Sequence, residues 1–112
     1  MSIWTATSVN SVPEIELRSW SVFEVTSNEW EDRTRHFVGY NVTECEGRVS
    51  SPIVQWDAAT RRGVTASGRV YQLVGETGFN WDAQYVWSRW KDLNRITAAE
   101  LVELPLDGTG VL

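Results

Sequence analysis

The sequence predicts an α+β fold: an antiparallel β-meander sheet of four to five strands with one amphipathic helix packed on one face. Short runs of alternating apolar and polar residues, separated by turns rich in Gly, Asn and charged residues, recur between residues 14 and 75. One later segment repeats its apolar residues at helical spacing instead. With 112 residues the chain fits one domain, which we place at 14–104, between a loose N-terminal arm at 1–13 and a flexible tail at 105–112.

The first strand is predicted over residues 14–26, and its pattern requires an irregularity. Ile15 and Leu17 fall on one face of a regular strand, whereas Trp20 falls on the other. A β-bulge near Ser19–Ser21 adds one residue to the strand and brings both sets of side chains to the same face.

Further strands are predicted over 35–42, 49–57 and 69–75, with a short extended piece at 63–66. These segments are rich in β-branched and aromatic residues, and the turns between them are short, which is typical of a β-meander. Pro52 lies inside the 49–57 segment and cannot donate a hydrogen bond to a neighbouring strand. It therefore predicts an edge position or a bulge at that point.

The predicted helix covers residues 81–94. Asn80 is a favourable N-cap, and Asp82 lies in the first turn, where a negative charge interacts well with the helix dipole. Five residues form the face expected to cover the sheet: Ala83, Val86, Trp87, Trp90 and Leu93.

The segment after the helix allows two interpretations. Thr97 and Glu100 have the spacing of a capping box, which predicts a short C-terminal helix over about 98–103. A last strand over 100–104 is the alternative, and Pro105 ends either element.

Charge and composition exclude several classes of partner. The net charge is −5 and the isoelectric point about 4.8, which disfavours binding to nucleic acid or to an anionic membrane surface. No stretch approaches the roughly 20 apolar residues of a membrane span, and the first residues lack the pattern of a signal peptide. The only cysteine, Cys45, has no partner for an intramolecular disulfide, so we expect a cytoplasmic location.

Residues suited to catalysis or metal binding are scarce. His36 and Cys45 are the only His and Cys, and the carboxylates of Glu44 and Glu46 disfavour the thiolate that a nucleophilic cysteine needs. One His and one Cys also make a zinc site improbable. We therefore predict no catalytic residue, no metal ligand and no cofactor, and an enzyme is the less supported class.

Gly-Arg-Val occurs twice, at residues 47–49 and 68–70, where a turn leads into a strand. A glycine at such a point supplies the backbone conformation of a tight turn. The remaining arginines, Arg48 and Arg69, are expected at one end of the sheet. Together with Trp56 and Tyr71 they predict a binding surface for a carboxylate, a phosphate or a protein. Arginines that merely pair with acidic residues are the alternative.

Four segments carry a resemblance that covers about residues 33–96: RTRHFVGY, EGRVSSPIVQWD, SGRVYQLVGETG and YVWSRW. In these the chain resembles a group of short uncharacterised proteobacterial proteins, some of them on mobile elements. The resemblance implies a cytoplasmic bacterial protein with an intact small domain, and it assigns no functional residue.

The function predicted from the sequence is a non-enzymatic module that binds a protein partner or self-associates as a homodimer, through a sheet edge or an exposed Trp surface. The acidic residues of the N-terminal half would suit a basic partner. The alternative is a small-ligand binder that uses the open face of the sheet, with Trp56, Tyr71 and the arginines.

Overall fold

The computed structural model describes residues 14–104 and the backbone of 109–110. The predicted arm lies outside the described residues, as does the tail except for a two-residue strand. The elements in chain order are β1 (Glu14–Ser27), β2 (Thr34–Asn41), β3 (Glu46–Val49), β4 (Ile53–Asp57), β5 (Arg62–Thr65), β6 (Val70–Leu73), α1 (Trp81–Leu93), β7 (Ile96–Val102) and β8 (Thr109–Gly110).

The α+β class is confirmed, but the predicted sheet of four to five antiparallel strands is wrong. The strands form one mixed sheet in the order β3-β2-β1-β6-β5-β4-β8, and β7 pairs with β1 beside this path. The 14-residue β1 explains the difference. One of its edges pairs with β2, and the other pairs with β6 in parallel through Glu14–Leu17 and with β7 in antiparallel through Val22–Ser27.

The predicted bulge in β1 is confirmed. The register against β2 shifts between Arg18 and Ser21, and Ser19 has a φ of 49°, which is rare for a residue other than glycine. As a result, Leu17 and Trp20 both enter the same core, although they are an odd number of residues apart.

The segment 49–57 is not one strand. Val49 ends β3, and Ile53 begins β4, which pairs with β5 at the other side of the sheet. Pro52 lies between them and has no backbone N–H to continue a ladder. The amide of Ser50 donates to the carbonyl oxygen of Phe37 at 2.9 Å, so the chain still lies along β2 at Ser50. It crosses to the far strands between Ser50 and Ile53.

The sheet curls so that β2 faces β4 and β6 across a first core. The ring of Phe37 lies with its centroid 6.3 Å from that of Trp56 and 5.4 Å from that of Tyr71. Leu17 and Leu73 complete the centre of this core. Burial of such large rings is the main stabilising term available to a small domain.

The helix covers the opposite face of β1–β3 and forms a second core. Its predicted N-cap is confirmed, because the Asn80 side chain accepts a hydrogen bond from the Ala83 amide at 2.9 Å. Trp87 stacks on Phe23 with centroids 4.6 Å apart, and Trp90 stacks on Trp87 at 5.5 Å.

Leu93 departs from the predicted helix face, because it is 75% exposed. It is the last residue of the helix and lies at the margin of its apolar face.

After the helix the chain forms strand β7, so the predicted helix at 98–103 is wrong and the strand alternative is the better description. Pairing of β7 with β1 outweighs the local capping signal. None of the helices in the described part of the chain has the length and apolar character to cross a bilayer.

Candidate functional site

The predicted binding residues do not form an exposed patch. Tyr71 and Trp56 are 2% and 5% exposed and belong to the first core. Arg69 is also buried, and both Arg69 and Trp56 interact with other groups of the protein. Arg48 alone is half-buried. The prediction that two arginines and two aromatic rings form an exposed surface is therefore wrong. A binding role for any of the four stays a prediction.

The structure does bring Arg48 and Tyr71 together. The guanidinium Nε of Arg48 donates a hydrogen bond of 2.8 Å to the Tyr71 hydroxyl. Its Cζ lies 5.9 Å from the Tyr71 ring centroid, and its Nη1 lies 3.9 Å from Oε2 of Glu46. These contacts favour a structural role for Arg48, in which the charge is held against the edge of the core.

The glycines of the two Gly-Arg-Val segments are required for different structural reasons. Gly68 has a φ of 89°, as expected for a turn glycine. Gly47 instead lies inside β3, where a Cβ would come within 2.6 Å of the Ala83 Cα. It is therefore the close approach of the α1 backbone that requires a glycine at 47.

A cavity of about 870 Å³ lies at the bend of β1, and we name it the sheet cavity. It is bounded by β1, β7, the end of β4 and the segment before α1, and its apolar walls include Trp20, Trp56, Phe79 and Leu104. Its volume is within the range of about 300–1,000 Å³ that is usual for small-molecule sites.

Arg61 is the cationic residue in the wall of the sheet cavity. Its Cζ lies 5.4 Å from the Trp20 ring centroid, and its Nη2 donates to the Gly75 carbonyl oxygen at 2.9 Å. Within the part of the chain that the structure describes, no carboxylate pairs with it. Its φ of 60° is an uncommon backbone state, which often accompanies a functional position.

The outer face of α1 carries a row of exposed large side chains, which we name the helix stripe: Trp81, Tyr85, Arg89 and Leu93. Trp81 is 79% exposed and Tyr85 is 64% exposed. The Arg89 Cζ lies 5.9 Å from the Tyr85 ring centroid. The ring of Phe79 meets that of Trp81 edge-on at 4.7 Å, so the stripe is continuous with the sheet cavity.

A second cavity, of about 630 Å³, lies beside the last turns of α1, and we name it the helix cavity. Its walls include Trp30, Trp90, His36 and Asn94, and Glu31 and Asp32 lie at its rim. The indole Nε1 of Trp30 is buried there without a hydrogen-bond partner in the described protein.

The protonation state of His36 follows from its two contacts. Its Nδ1 lies 2.8 Å from the Ser50 carbonyl oxygen, which can only accept, so Nδ1 carries the hydrogen. Its Nε2 then accepts from the Thr34 hydroxyl at 2.7 Å. Burial lowers the pKa of His36 from its ordinary value of 6.5, and the Ser50 carbonyl opposes this shift only in part. The imidazole is therefore neutral at pH 7.

Sequence reasoning missed the helix stripe. Part of the signal was present, because residues 81, 85 and 89 are spaced by four and lie off the face predicted to cover the sheet, whereas Leu93 was assigned to that face. The two cavities had no comparable signal, since each is formed by residues from distant parts of the sequence.

The described residues contain no group of three or more His, Cys, Asp or Glu side chains arranged to hold a metal ion. No protein-family model, curated protein or solved structure matches the chain.

Proposed function

We propose that the protein is a non-enzymatic protein-binding module, and that it associates with a second copy of itself through the helix stripe. The observation behind this proposal is the exposure of Trp81 and Tyr85 on one face of α1, beside Arg89. Trp, Tyr and Arg are the residues most enriched where protein interfaces gain their binding energy. In a monomer these rings stay exposed to water, and the binding energy that their burial in an interface provides is absent.

The stripe favours a second copy because it is complementary to itself. If two α1 helices pack in antiparallel fashion about the midpoint of the stripe, Trp81 lies across from Leu93 and Tyr85 lies across from Arg89. The first pair is apolar and the second is a cation–π pair. No carboxylate of the described residues pairs with Arg89, and its guanidinium lies against Tyr85 of its own helix, with Nη1 3.4 Å from the hydroxyl. In the dimer it would exchange this contact for the partner's Tyr85.

The test is the oligomeric state as a function of concentration, measured by sedimentation velocity and light scattering. We expect a reversible dimer whose Kd rises roughly tenfold or more in Trp81→Ala and Tyr85→Ala, since truncation of an interface aromatic costs about 2 kcal/mol. Val54→Ala is the matched control, because Val54 is an exposed apolar residue on β4 that lines neither cavity.

Two results would contradict the proposal. One is a protein that stays monomeric at every concentration. The other is a dimer whose affinity is the same in the wild type and in Trp81→Ala. The cytoplasmic bacterial setting that the resemblance implies remains part of this proposal, and the acidic net charge of −5 supports a partner other than nucleic acid.

A second candidate function, small-ligand binding, is supported by the sheet cavity. Its aromatic walls suit an apolar molecule, and the guanidinium of Arg61 suits one carboxylate on it, although the wall also contains the acidic residue Glu103. Trp56 is the predicted binding residue that lines this cavity, whereas Tyr71 and Arg69 do not.

The thermal stability of the protein in the presence of alkyl and aryl carboxylates tests this second candidate. We expect a rise in Tm with the acids, a smaller rise with the corresponding neutral amides, and loss of the difference in Arg61→Gln. Equal shifts with acids and amides would rule out recognition by Arg61. Arg18→Gln is the control variant, because Arg18 is an exposed arginine outside the cavity.

A further inference from the structure

The helix cavity differs from the stripe and from the sheet cavity in the charge that surrounds it. Its walls contain two acidic residues, Glu31 and Asp32, and no lysine or arginine. Among the described residues, neither carboxylate accepts a hydrogen bond or joins an ion pair. An aromatic cavity with unpaired carboxylates at its rim has a negative potential that attracts cations.

The nearby cations do not compensate this charge. Arg33 is bound to Glu24, with Nη1 3.2 Å from Oε2. Arg95 is bound to Glu29, with Nε 3.3 Å from Oε2. The ammonium of Lys91 lies 5.1 Å from the Trp87 ring centroid. Each of these charges is therefore engaged with a group that does not line the cavity.

The walls provide aromatic rings at an angle to one another. The ring planes of Trp30 and Trp90 are inclined by 54°, with centroids 6.3 Å apart. Those of Trp90 and His36 are inclined by 58° at 4.6 Å. Inclined rings present π-faces and edges to the same cavity, and the faces of Trp rings are the best partners for an organic cation.

The neutral tautomer of His36 completes this arrangement. Because Nδ1 donates to Ser50 and Nε2 accepts from Thr34, the imidazole adds an aromatic ring to the wall and no positive charge. A cationic ligand therefore meets no charged group of its own sign within the cavity.

We propose that the helix cavity is a binding site for an organic cation, of the alkylammonium or quaternary ammonium class, held by Trp30 and Trp90 with Glu31 and Asp32 at its entrance. The same chemistry occurs in a free small molecule and in the side chain of a methylated lysine. The volume of about 630 Å³ is sufficient for either.

Choline is the probe, and its uncharged carbon analogue 3,3-dimethylbutan-1-ol is the control for shape. The readout is the set of indole N–H signals in a heteronuclear NMR spectrum, with Trp30 and Trp90 assigned by Trp→Phe variants. We expect choline to move these two signals and the neutral analogue to move them much less.

The charge contribution is tested by Glu31→Gln combined with Asp32→Asn, which preserves shape and leaves the core untouched. We expect affinity for choline to fall by about threefold to tenfold, as is usual when the electrostatic partner of a bound cation is removed. Glu44→Gln is the control, since it removes an exposed carboxylate of the β2–β3 turn, outside the cavity.

Three results would overturn the proposal: equal shifts with choline and its neutral analogue, an affinity unchanged in the double variant, or shifts confined to Trp20 and Trp56 of the sheet cavity. A peptide with one trimethyllysine distinguishes the sources. Tighter binding of the peptide than of choline assigns the site to a protein side chain, and the reverse order assigns it to a small molecule. A failure of this experiment leaves the helix stripe and its dimer untouched, because the two sites share no residue.

Discussion

The hydroxyl of Tyr71 on β6 accepts a 2.8 Å hydrogen bond from Arg48 on β3, although two other strands, β2 and β1, separate these strands in the sheet. Such a contact requires a strongly curled sheet. The Tyr71 ring lies in the first core while its hydroxyl reaches the half-buried guanidinium. This hydrogen bond therefore stabilises the curled shape of the sheet by joining β3 to β6.

Replacement of Tyr71 by Phe tests how much the hydrogen bond from Arg48 contributes to stability. The variant keeps the ring in the core and loses the hydrogen bond, so we expect the free energy of unfolding to fall by about 1–2 kcal/mol. Urea denaturation gives the value. Tyr85→Phe is the control, because Tyr85 is exposed and its hydroxyl is 3.4 Å from Arg89, and it should change stability by less than about 0.5 kcal/mol. Equal effects in both variants would show that the Arg48 contact adds nothing.

Gly47→Ala should be more destabilising than its ordinary strand backbone suggests. The added methyl group would meet the backbone at Ala83, which cannot move without shifting the start of α1. We expect a cost of about 2–3 kcal/mol. Gly75→Ala is the comparison: a Cβ there meets nothing within 4 Å, but the φ of 73° costs about 1 kcal/mol. If Gly75→Ala proves the worse of the two in chemical denaturation, close packing is not the reason for Gly47.

His36 gives stability a pH dependence with a definite sign. Its pKa in the folded protein is lower than 6.5, so the unfolded chain binds more protons below that pH. Stability is therefore full above about pH 6.5 and declines as the pH falls toward the folded-state pKa. Glu24, whose pKa is lowered by hydrogen bonds to Arg35 and Arg33, adds a similar loss only below about pH 4.5.

The pH prediction is measured by urea midpoints between pH 8 and pH 5. His36 is the only histidine of the chain, so His36→Gln should remove most of the slope below pH 6.5 whatever its effect on stability at pH 8. Parallel curves for the two proteins would mean that another group titrates in this range.

Variants at two residues of α1 test core packing and surface binding separately. Trp87 is buried and stacked between Phe23 and Trp90, so Trp87→Ala should cost about 3–5 kcal/mol. Leu93→Ala should change the stability of the dilute monomer by less than about 0.5 kcal/mol and should weaken the proposed dimer. Thermal unfolding and sedimentation velocity measure the two effects. A stable Trp87→Ala protein would show that the helix does not depend on this contact.

Local features of the fold were predictable from sequence where one segment contains the whole signal. The parity change between Leu17 and Trp20 predicted the bulge, and Asn80 predicted the start of the helix. The strand order was not predictable in this way. Whether β1 pairs with β6 or with β7 depends on side chains that meet only after the sheet has curled.

The candidate sites show the same division. The Gly-Arg-Val segments suggested a surface, but burial of Arg69 and Tyr71 depends on the curl, which short motifs do not encode. Trp81, Tyr85 and Arg89 of the helix stripe form a local pattern that could have been recognised from its spacing of four, whereas the exposure of Leu93 could not. The helix cavity could not, because Trp30, Ser50 and Trp90 come from three separate segments.

The pairing of β1 has a consequence for folding during synthesis. The ribosome makes Val22 long before Val102, yet the two are direct cross-strand partners. The first residues of β1 likewise cannot pair on this edge until β6 has been made. Until those later strands leave the exit tunnel, β1, β2 and β3 can form only a three-stranded sheet in which the second edge of β1 is open. Such an edge can pair with a neighbouring nascent chain on the same polysome. We therefore expect newly made protein to depend more on chaperones that shield extended segments than a helical protein of the same length.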